Sequence, residues 1–585
     1  MVKRKKRVLS PEQKDQIAQR REVRSILSNM GFHRIAGIDG KNFQYDGRTS
    51  EMDDVFFLEN VMVIMEYTIV KEYKSHLAKK NLFYQKVLSD PEAFIEFLNQ
   101  QVAFNAFKEY YEKNVLPKFP SRSQIQVKIV YCSKEDVSSE YRRSIPGVHF
   151  FDYYIVHYFK FLSSALKKSA KYDFLDFLDV SEDQFGDRIS ENQTSSSQVQ
   201  AYVLPEVKTL FNEGYKVVTF YMDPDSILKR AYVLRHEGWR EKSSATYYQR
   251  MADPKRIAAI RKYVATEKRV FVNNIIVTLS EDNVVFYDSK NNMIPISENG
   301  KFGLEANTRP GVFKMSLNEK RNTVGIIDGQ HRVFSYHEGD DIYEEEISKL
   351  RHQQNLLVTG ILFPKKEKTE ARRKFEANLF KDINVKQVKI SSYLQQELDL
   401  IVSPFSMVSI AKLVLFSLNE EGPLAKKMEL YSFDKGKVKT ASIVSFGLRP
   451  LIKLGDSKDT LFSIWMHPQK EELLNVKCEN YSLRDEYVSF CAESIRNLLL
   501  GIKNCLPNDR WHPYDHKTNQ GILTTTFING CLNLLRLIIE NENTVYQMDY
   551  YISIFKSLHE FDFKKYKSSH YREMGNDMYR DVFKK

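Results

Sequence analysis

Residues 181–200, SEDQFGDRISENQTSSSQVQ, are nearly free of large apolar side chains. A segment of that kind cannot supply a core, so it reads as a linker that cuts the chain. A cut is needed, because 585 residues exceed what one hydrophobic core can organise. The expected division is a domain over 1–180, the linker 181–200, a domain over 201–430 and a helical region over 431–585.

Local patterning gives each part a character. Ser10 can cap a helix, Pro11 suits its first position and Gln13 completes a capping box. Ile17, Val23, Ile26 and Leu27 then form a helical stripe up to the stop at NMGF. MDDVFFLE and VMVIMEYT read as strands joined by Glu59 and Asn60, a helical region rich in Phe and Tyr covers 82–113, and IQVKIVYCS alternates like a strand. The order is α, β, β, α, β. Beyond the linker, KVVTFYM, VFVNNIIVTL and LLVTGILF read as strands, PKRIAAIRKYV and a basic stretch near 368–382 as helices, and the pattern is mainly helical from about 391. No internal repeat is visible. The fold class expected is α/β (α+β).

Two stretches carry chemistry. In VGIIDGQHRVFSYHEG (324–339), a buried run meets Asp328, Gly329, Gln330, His331 and Arg332 where a helix begins. A glycine turn at a helix start presents free N–H groups to an anion. Gly329 allows close approach, Arg332 offers a bidentate contact, and Gln330 or His331 can donate beside it. Asp328 can cap the helix, hold a metal or orient a water; the plainer alternative is a capping Asp328 paired structurally with Arg332. In the second stretch, Asp54 opens one strand and Glu66 lies on the next, with Glu66 and Thr68 on one face. Two carboxylates converging from adjacent strands can hold Mg2+ or Mn2+ for phosphodiester hydrolysis. The alternative reading makes Asp53 and Asp54 turn residues and Glu66 an exposed-face residue.

Asp328–Arg332 resembles the signature of the DGQHR-domain proteins, which include the DndB-like family, and these are distantly similar to the ParB/sulfiredoxin superfamily. YYQRMADPKRIAAIRKYV (247–264), VFVNNIIVTL (270–279) and FKDINVKQVKISSYL (380–394) fall where such proteins carry similar segments, so the resemblance spans roughly 200–540. It implies a ParB/sulfiredoxin-like α+β domain that holds a nucleotide or DNA phosphate, in a bacterial DNA-modification or defence setting. Gln249, Arg250, Asp328, Gly329, Gln330, His331 and Arg332 are then the expected nucleotide-binding residues. Arg256, Arg372, Arg373, Asn384 and Gln387 are expected on nucleic acid, although Arg256 also fits a solvated helix face and Asn384 a helix C-cap.

The N-terminal order and the D-x11-E-x-T spacing resemble the PD-(D/E)XK nuclease fold, a restriction-endonuclease-like α/β domain, with Glu22 as an accessory ligand. The family expects Lys two residues after the glutamate, where this chain has Thr68. Lys71, Lys79 and Lys80 are the candidates to replace it, which leaves Asp54, Glu66, Thr68 and Lys80 as the expected catalytic set. Without a replacement the domain is a degenerate nuclease that only binds.

Charge agrees with a polyanionic partner: 87 Lys and Arg against 76 Asp and Glu give +11. The basic start, MVKRKKRVLS, is either a solvated tail or a phosphate-contacting arm, and lacks the apolar stretch of a secretory signal. No apolar run is long enough to span a bilayer. Cys132, Cys478, Cys491, Cys505 and Cys531 are scattered without a CxxC pair, arguing for a reducing compartment and against a structural zinc. The expectation is a cytoplasmic DNA-binding protein, with oligomerisation left open. His512 and His516 are four apart, but Pro513 between them argues for a loop. DDIYEEE (340–346) reads as a solvated helix start.

Overall fold

The computed structural model describes residues 10–584 apart from 70–72, 136, 187–195, 205, 234–252, 298–310, 368, 386–391, 431–433, 435, 476–477, 516 and 568. The architecture is mixed α/β, 54% helix and 18% strand, with a helical C-terminal region. By its contacts the chain forms two compact units, one holding the described residues before Thr369 and the other those from Thr369 onward.

The first unit opens with helix α1 (Pro11–Asn29), whose Ser10–Gln13 capping box is formed. Val23, Ile26 and Leu27 of the expected stripe are buried, whereas Ile17 is 43% exposed. Strands β1 (His33–Arg34), β2 (Asn42–Tyr45), β3 (Arg48–Glu51), β4 (Asp54–Leu58) and β5 (Val61–Thr68) follow, then helix α2 (Tyr73–Ser89) and strands β6 (Gln126–Ser133) and β7 (Val148–Phe151). A five-stranded sheet is ordered β1-β4-β5-β6-β7, with β4 antiparallel and β6 parallel to β5.

β5 is central and buried on both sides, which explains its unbroken VMVIM run. Val61, Val63, Met65 and Tyr67 join the core that includes α1. Met62 and Ile64 join the core on the α2 side. The β4–β5 hairpin turns at Glu59, which has φ of 48°. Buried Asn60 closes this end by donating to the carbonyls of Gln124 (2.7 Å) and Gln184 (2.8 Å) and accepting from the Gly186 N–H (2.9 Å). Three such bonds stabilise by roughly 3 kcal/mol in total at about 1 kcal/mol each.

Helix α3 (Tyr153–Leu166) and a segment over 167–178 lead to the second sheet. Its strands are β8 (Ser196–Leu204), β9 (Lys216–Met222), β10 (Ala231–Val233), β11 (Ile275–Ser280), β12 (Val284–Tyr287), β13 (Met293–Ile294), β14 (Gly311–Asn318), β15 (Val324–Asp328) and β16 (Leu356–Phe363). They are ordered β10-β15-β11-β16-β9-β8-β14-β12-β13. Residues 196–200, expected in the linker, therefore begin a strand paired on both sides. Its exposed Gln198 and Gln200 hide the strand signal, because they alternate with the buried Ala201 and Val203 side of the strand.

That core is shared. A single apolar cluster contains Phe159, Phe174 and Phe177 from the N-terminal part together with Val203, Phe220 and Leu362 from the second sheet. Polar contacts join the same parts: Glu338 accepts from Lys171 (2.7 Å) and the Tyr172 hydroxyl (3.2 Å), and Arg321 pairs with Glu182 (3.1 Å).

The second unit, mainly helical, has its own core, in which Leu415, Ile495 and Leu535 are fully buried. No single described helix is long and apolar enough to cross a membrane. The bent pair Ser392–Val402 and Met407–Glu420 passes that test on length and composition, but Ile410, Val414 and Leu415 lie fully buried in this core. All five cysteines are free thiols.

Candidate functional site

The antiparallel register places Asp54 opposite Met65. Cross-strand partners share a face, so Asp54 lies on the α1 side with Met65, and Glu66 on the α2 side. The expected Asp54–Glu66 pair is thus divided by the sheet. Asp54 is fully buried and receives Arg24 Nε (2.7 Å), Arg34 and the Tyr67 hydroxyl (3.0 Å). Its oxygens are committed to holding α1 and β1 on the sheet.

Asp53, one residue earlier, takes the place expected of Asp54. Its side chain is 12% exposed, paired with Arg20, and accepts the Tyr67 backbone N–H at 2.8 Å. Glu66 is 3% exposed, and its Oε1 meets Lys80 Nζ at 2.8 Å. Lys80 also donates to the Glu51 carbonyl at 3.2 Å. His76, one turn earlier on α2, lies 3.8 Å from Glu66 through Nε2, and its Nδ1 meets the Tyr131 hydroxyl at 3.0 Å. Spacing i, i+4 puts His76 and Lys80 on one helix face, above the side of β5 that carries Glu66.

Electrostatics distinguish this pocket from a solvated ion pair. Burial pushes the Glu66 carboxyl up to about 8; the Asp53 charge adds to that and Lys80 opposes it. Burial also raises Asp53, against the Tyr67 N–H and Arg20. Burial and Lys80 lower the His76 imidazole. Glu66 Oε2 is buried without a hydrogen-bond partner. A buried, unsatisfied carboxylate oxygen beside a second carboxylate is a costly arrangement that a hard divalent cation relieves. Glu66 supplies one free oxygen donor and Asp53 two oxygens already bonded to Arg20 and the Tyr67 N–H, an all-oxygen set that fits Mg2+ or Mn2+ in kind.

The remaining expected residues divide. Thr68 is buried at the end of β5, and its carbonyl accepts from Gln19 (3.1 Å) and the Lys134 N–H (3.0 Å). Glu22 pairs with Lys160 of α3 and does not join Glu66. Lys79 is exposed and Lys71 lies outside the described residues.

The motif turn is built as its residues suggest. β15 ends at Asp328, Gly329 adopts φ of 95°, and helix Gln330–Phe334 follows. A Cβ at 329 would stand 2.6 Å from Ile275 Cδ1 and 3.1 Å from Arg332 Nη2, so both conformation and space require glycine. Asp328 makes no capping bond; it pairs with Arg332 at 3.1 Å. His331 Nε2 accepts the backbone N–H of Asp253 (3.1 Å), the N-cap of helix α4 (Pro254–Glu267). Gln330 is 3% exposed, and both polar atoms of its carboxamide lack a partner. Burial lowers the Arg332 guanidinium against the Asp328 charge, and the nearby Arg256 lowers it further. Arg256 is exposed in the first turn of α4.

DDIYEEE departs from a solvated helix start. Asp341 and Glu344 bind the buried Arg261 at 2.8 and 2.5 Å, and Arg261 also donates to the carbonyls of Ser335 and His337. Burying a charge requires such partners, so these carboxylates hold the loop behind the motif.

Gln249, Arg250 and Gln387 lie outside the described residues, as does the side chain of Asn384, whose backbone ends helix Thr369–Val385. Arg372 on that helix pairs with Glu376 at 3.2 Å, and Arg373 is half-buried. His512 sits in a loop, with Nδ1 2.9 Å from the Pro513 carbonyl, while His516 is outside the described residues. Among the described residues, Asp223, Asp225 and His352 gather ligand atoms within 4.8 Å. Asp223 caps a helix through the Ser226 N–H (2.8 Å) and Asp225 pairs with Lys229 (2.7 Å), which accounts for both carboxylates.

Asp53, Arg20, His76 and Tyr67 were not anticipated as site residues. The strand register and the His76–Lys80 spacing were the available signals. No protein-family model, curated protein or solved structure matches this chain.

Proposed function

We propose that the protein is a divalent-metal-dependent DNA endonuclease whose site is Asp53, Glu66 and Lys80. The observation that carries this reading is Glu66: a buried carboxylate with one unsatisfied oxygen, the Asp53 charge acting on it and Lys80 Nζ at 2.8 Å. In this reading Lys80 on α2 supplies the cation that the resemblance expects at position 68. Asp53 and Glu66 would hold the ion, which polarises the phosphate and acidifies a water. Arg20 and the Tyr67 N–H fix Asp53, and the Lys80 ammonium offsets negative charge that grows on the phosphate oxygens. Around this site α1 is followed by five strands, a helical stretch and β6, so the α, β, β, α, β order behind the nuclease resemblance has β1, β2 and β3 added to it.

The motif turn is the proposed nucleotide or phosphate site, in a bacterial DNA-modification or defence setting that comes from the DGQHR resemblance. Gln330 favours it: a buried carboxamide with neither atom partnered follows Gly329 in the turn, and Arg332 beside it feels a second cation, Arg256. Incubation with plasmid and Mg2+ or Mn2+ tests the nuclease. Cleavage by wild type and none by Asp53→Asn or Glu66→Gln is expected. DNA binding with no cleavage in either metal would leave a ligand-sensing regulator instead.

A further inference from the structure

Across the middle of β8, β9 and β14 the nine-stranded sheet is packed on one side, whereas Thr278, Ile327, Ile361 and Phe363 are buried on its other side at β11, β15 and the end of β16. Ala201, Val218, Phe220, Met315 and Val358 face the core, and period-two alternation turns their neighbours to the opposite side. Register aligns those neighbours in two rows across the strands. One row runs Leu357, Tyr221, Gln200, Lys314, Tyr287 and Met293, following the printed pairings and one further step of the β8–β9 register. The other runs Thr359, Thr219, Tyr202 and Val312.

Tyr202, Tyr221 and Val312 are 47%, 61% and 65% exposed. Among the described residues neither Tyr202 nor Tyr221 makes a hydrogen bond or a ring contact. Lys314 donates to the Asn291 carboxamide at 2.9 Å and has no carboxylate partner among the described residues. None of β8, β9, β12, β14 and β16 contains an Asp or Glu.

We propose that this open face binds single-stranded DNA, with bases stacked on Tyr202 and Tyr221 and a phosphate on Lys314. Two exposed rings on adjacent strands with a lone cation on the next, and no carboxylate on any of them, suit a polyanion whose bases are free to stack. A duplex hides those base faces in its own stack. A second copy of this chain would meet a like-charged Lys314 without an acidic partner. The proposal stands apart from the nuclease reading, because binding on this face requires neither metal nor Glu66.

The test is fluorescence anisotropy of labelled oligo(dT), oligo(U) and a short duplex with the full-length protein in EDTA, which prevents metal-dependent cleavage. Wild type should bind oligo(dT) more tightly than the other two. Tyr202→Ala with Tyr221→Ala should weaken oligo(dT) binding roughly tenfold or more and leave duplex binding unchanged. Tyr202→Phe with Tyr221→Phe should restore it, since the ring and not the hydroxyl stacks. Both positions are exposed, and a circular-dichroism melt checks that each variant is folded. Equal oligo(dT) binding by wild type and the double alanine variant would overturn the proposal, as would a preference for duplex or RNA. A wild-type dimer in sedimentation that Tyr221→Ala dissolves would overturn it too, assigning the face to a second copy.

Discussion

Asp53 and Asp54 are adjacent in the chain but differently engaged, Asp53 paired with Arg20 and close enough for its charge to act on Glu66, Asp54 held by Arg24 and Arg34. Their substitutions should therefore separate. Asp53→Asn is expected to abolish metal-dependent plasmid cleavage while costing less stability than Asp54→Ala, because burial already opposes the Asp53 charge. Asp54→Ala strands two arginines and should cost about 3 kcal/mol, the low end for breaking a buried pair because both arginines are about a third exposed. Its folded fraction should still cut. Urea denaturation read beside plasmid nicking checks both outcomes.

Lys80 and Lys79 are neighbours with different surroundings, one against Glu66 and the other in solvent. Lys80→Ala should slow cleavage by about 10²–10³-fold, the usual loss for one charge-stabilising donor. Lys79→Ala should leave the rate within twofold, or about 0.4 kcal/mol. Equal rates for the two variants would remove Lys80 from the site.

Gln330 offers a test with opposed signs. Removing a buried carboxamide that lacks partners should stabilise the free protein, so Gln330→Leu is expected to raise stability by about 1 kcal/mol. The same change should weaken binding of nucleotide or inorganic phosphate, measured by titration calorimetry. A variant that is destabilised and binds as wild type would make Gln330 a packing residue.

His337 gives a pH signature. It is 5% exposed, its Nδ1 lies 2.9 Å from the Phe334 carbonyl, and burial reinforced by Arg261 brings its imidazole down to about 4. Between pH 4 and the ordinary value near 6.5 the unfolded chain binds a proton that the folded chain refuses. Stability should fall as pH drops through that window, by up to about 3 kcal/mol, with no further loss from this group below it. For Asp341 and Glu344, burial alone would raise the carboxyls, but Arg261 and Arg351 outweigh it and hold both low, so their contribution is lost at lower pH. His337→Asn should flatten the upper window in urea melts recorded across pH.

Much of the layout was legible because it rests on local signals. The Ser10 capping box, the VMVIM central strand and the turn at Gly329 each follow from spacing along the chain. Asp53 was not legible, since choosing between two adjacent aspartates needs the register of β4 on β5, and a slip of one residue exchanges the faces. Strand β8 was concealed by its polar outward positions. The buried partner of DDIYEEE, Arg261, lies 80 residues from Asp341, a distance at which charge patterning gives no warning.

The cluster that unites Phe159, Phe174 and Phe177 with Val203, Phe220 and Leu362 bears on how such a protein can be inherited. A recombination joint placed near 180 would leave each half with an uncovered apolar wall, so neither could be traded alone into another chain. The N-terminal part and the motif-bearing sheet must travel through evolution as one heritable piece, and the seam open to exchange lies farther on, where the helical unit begins at Thr369.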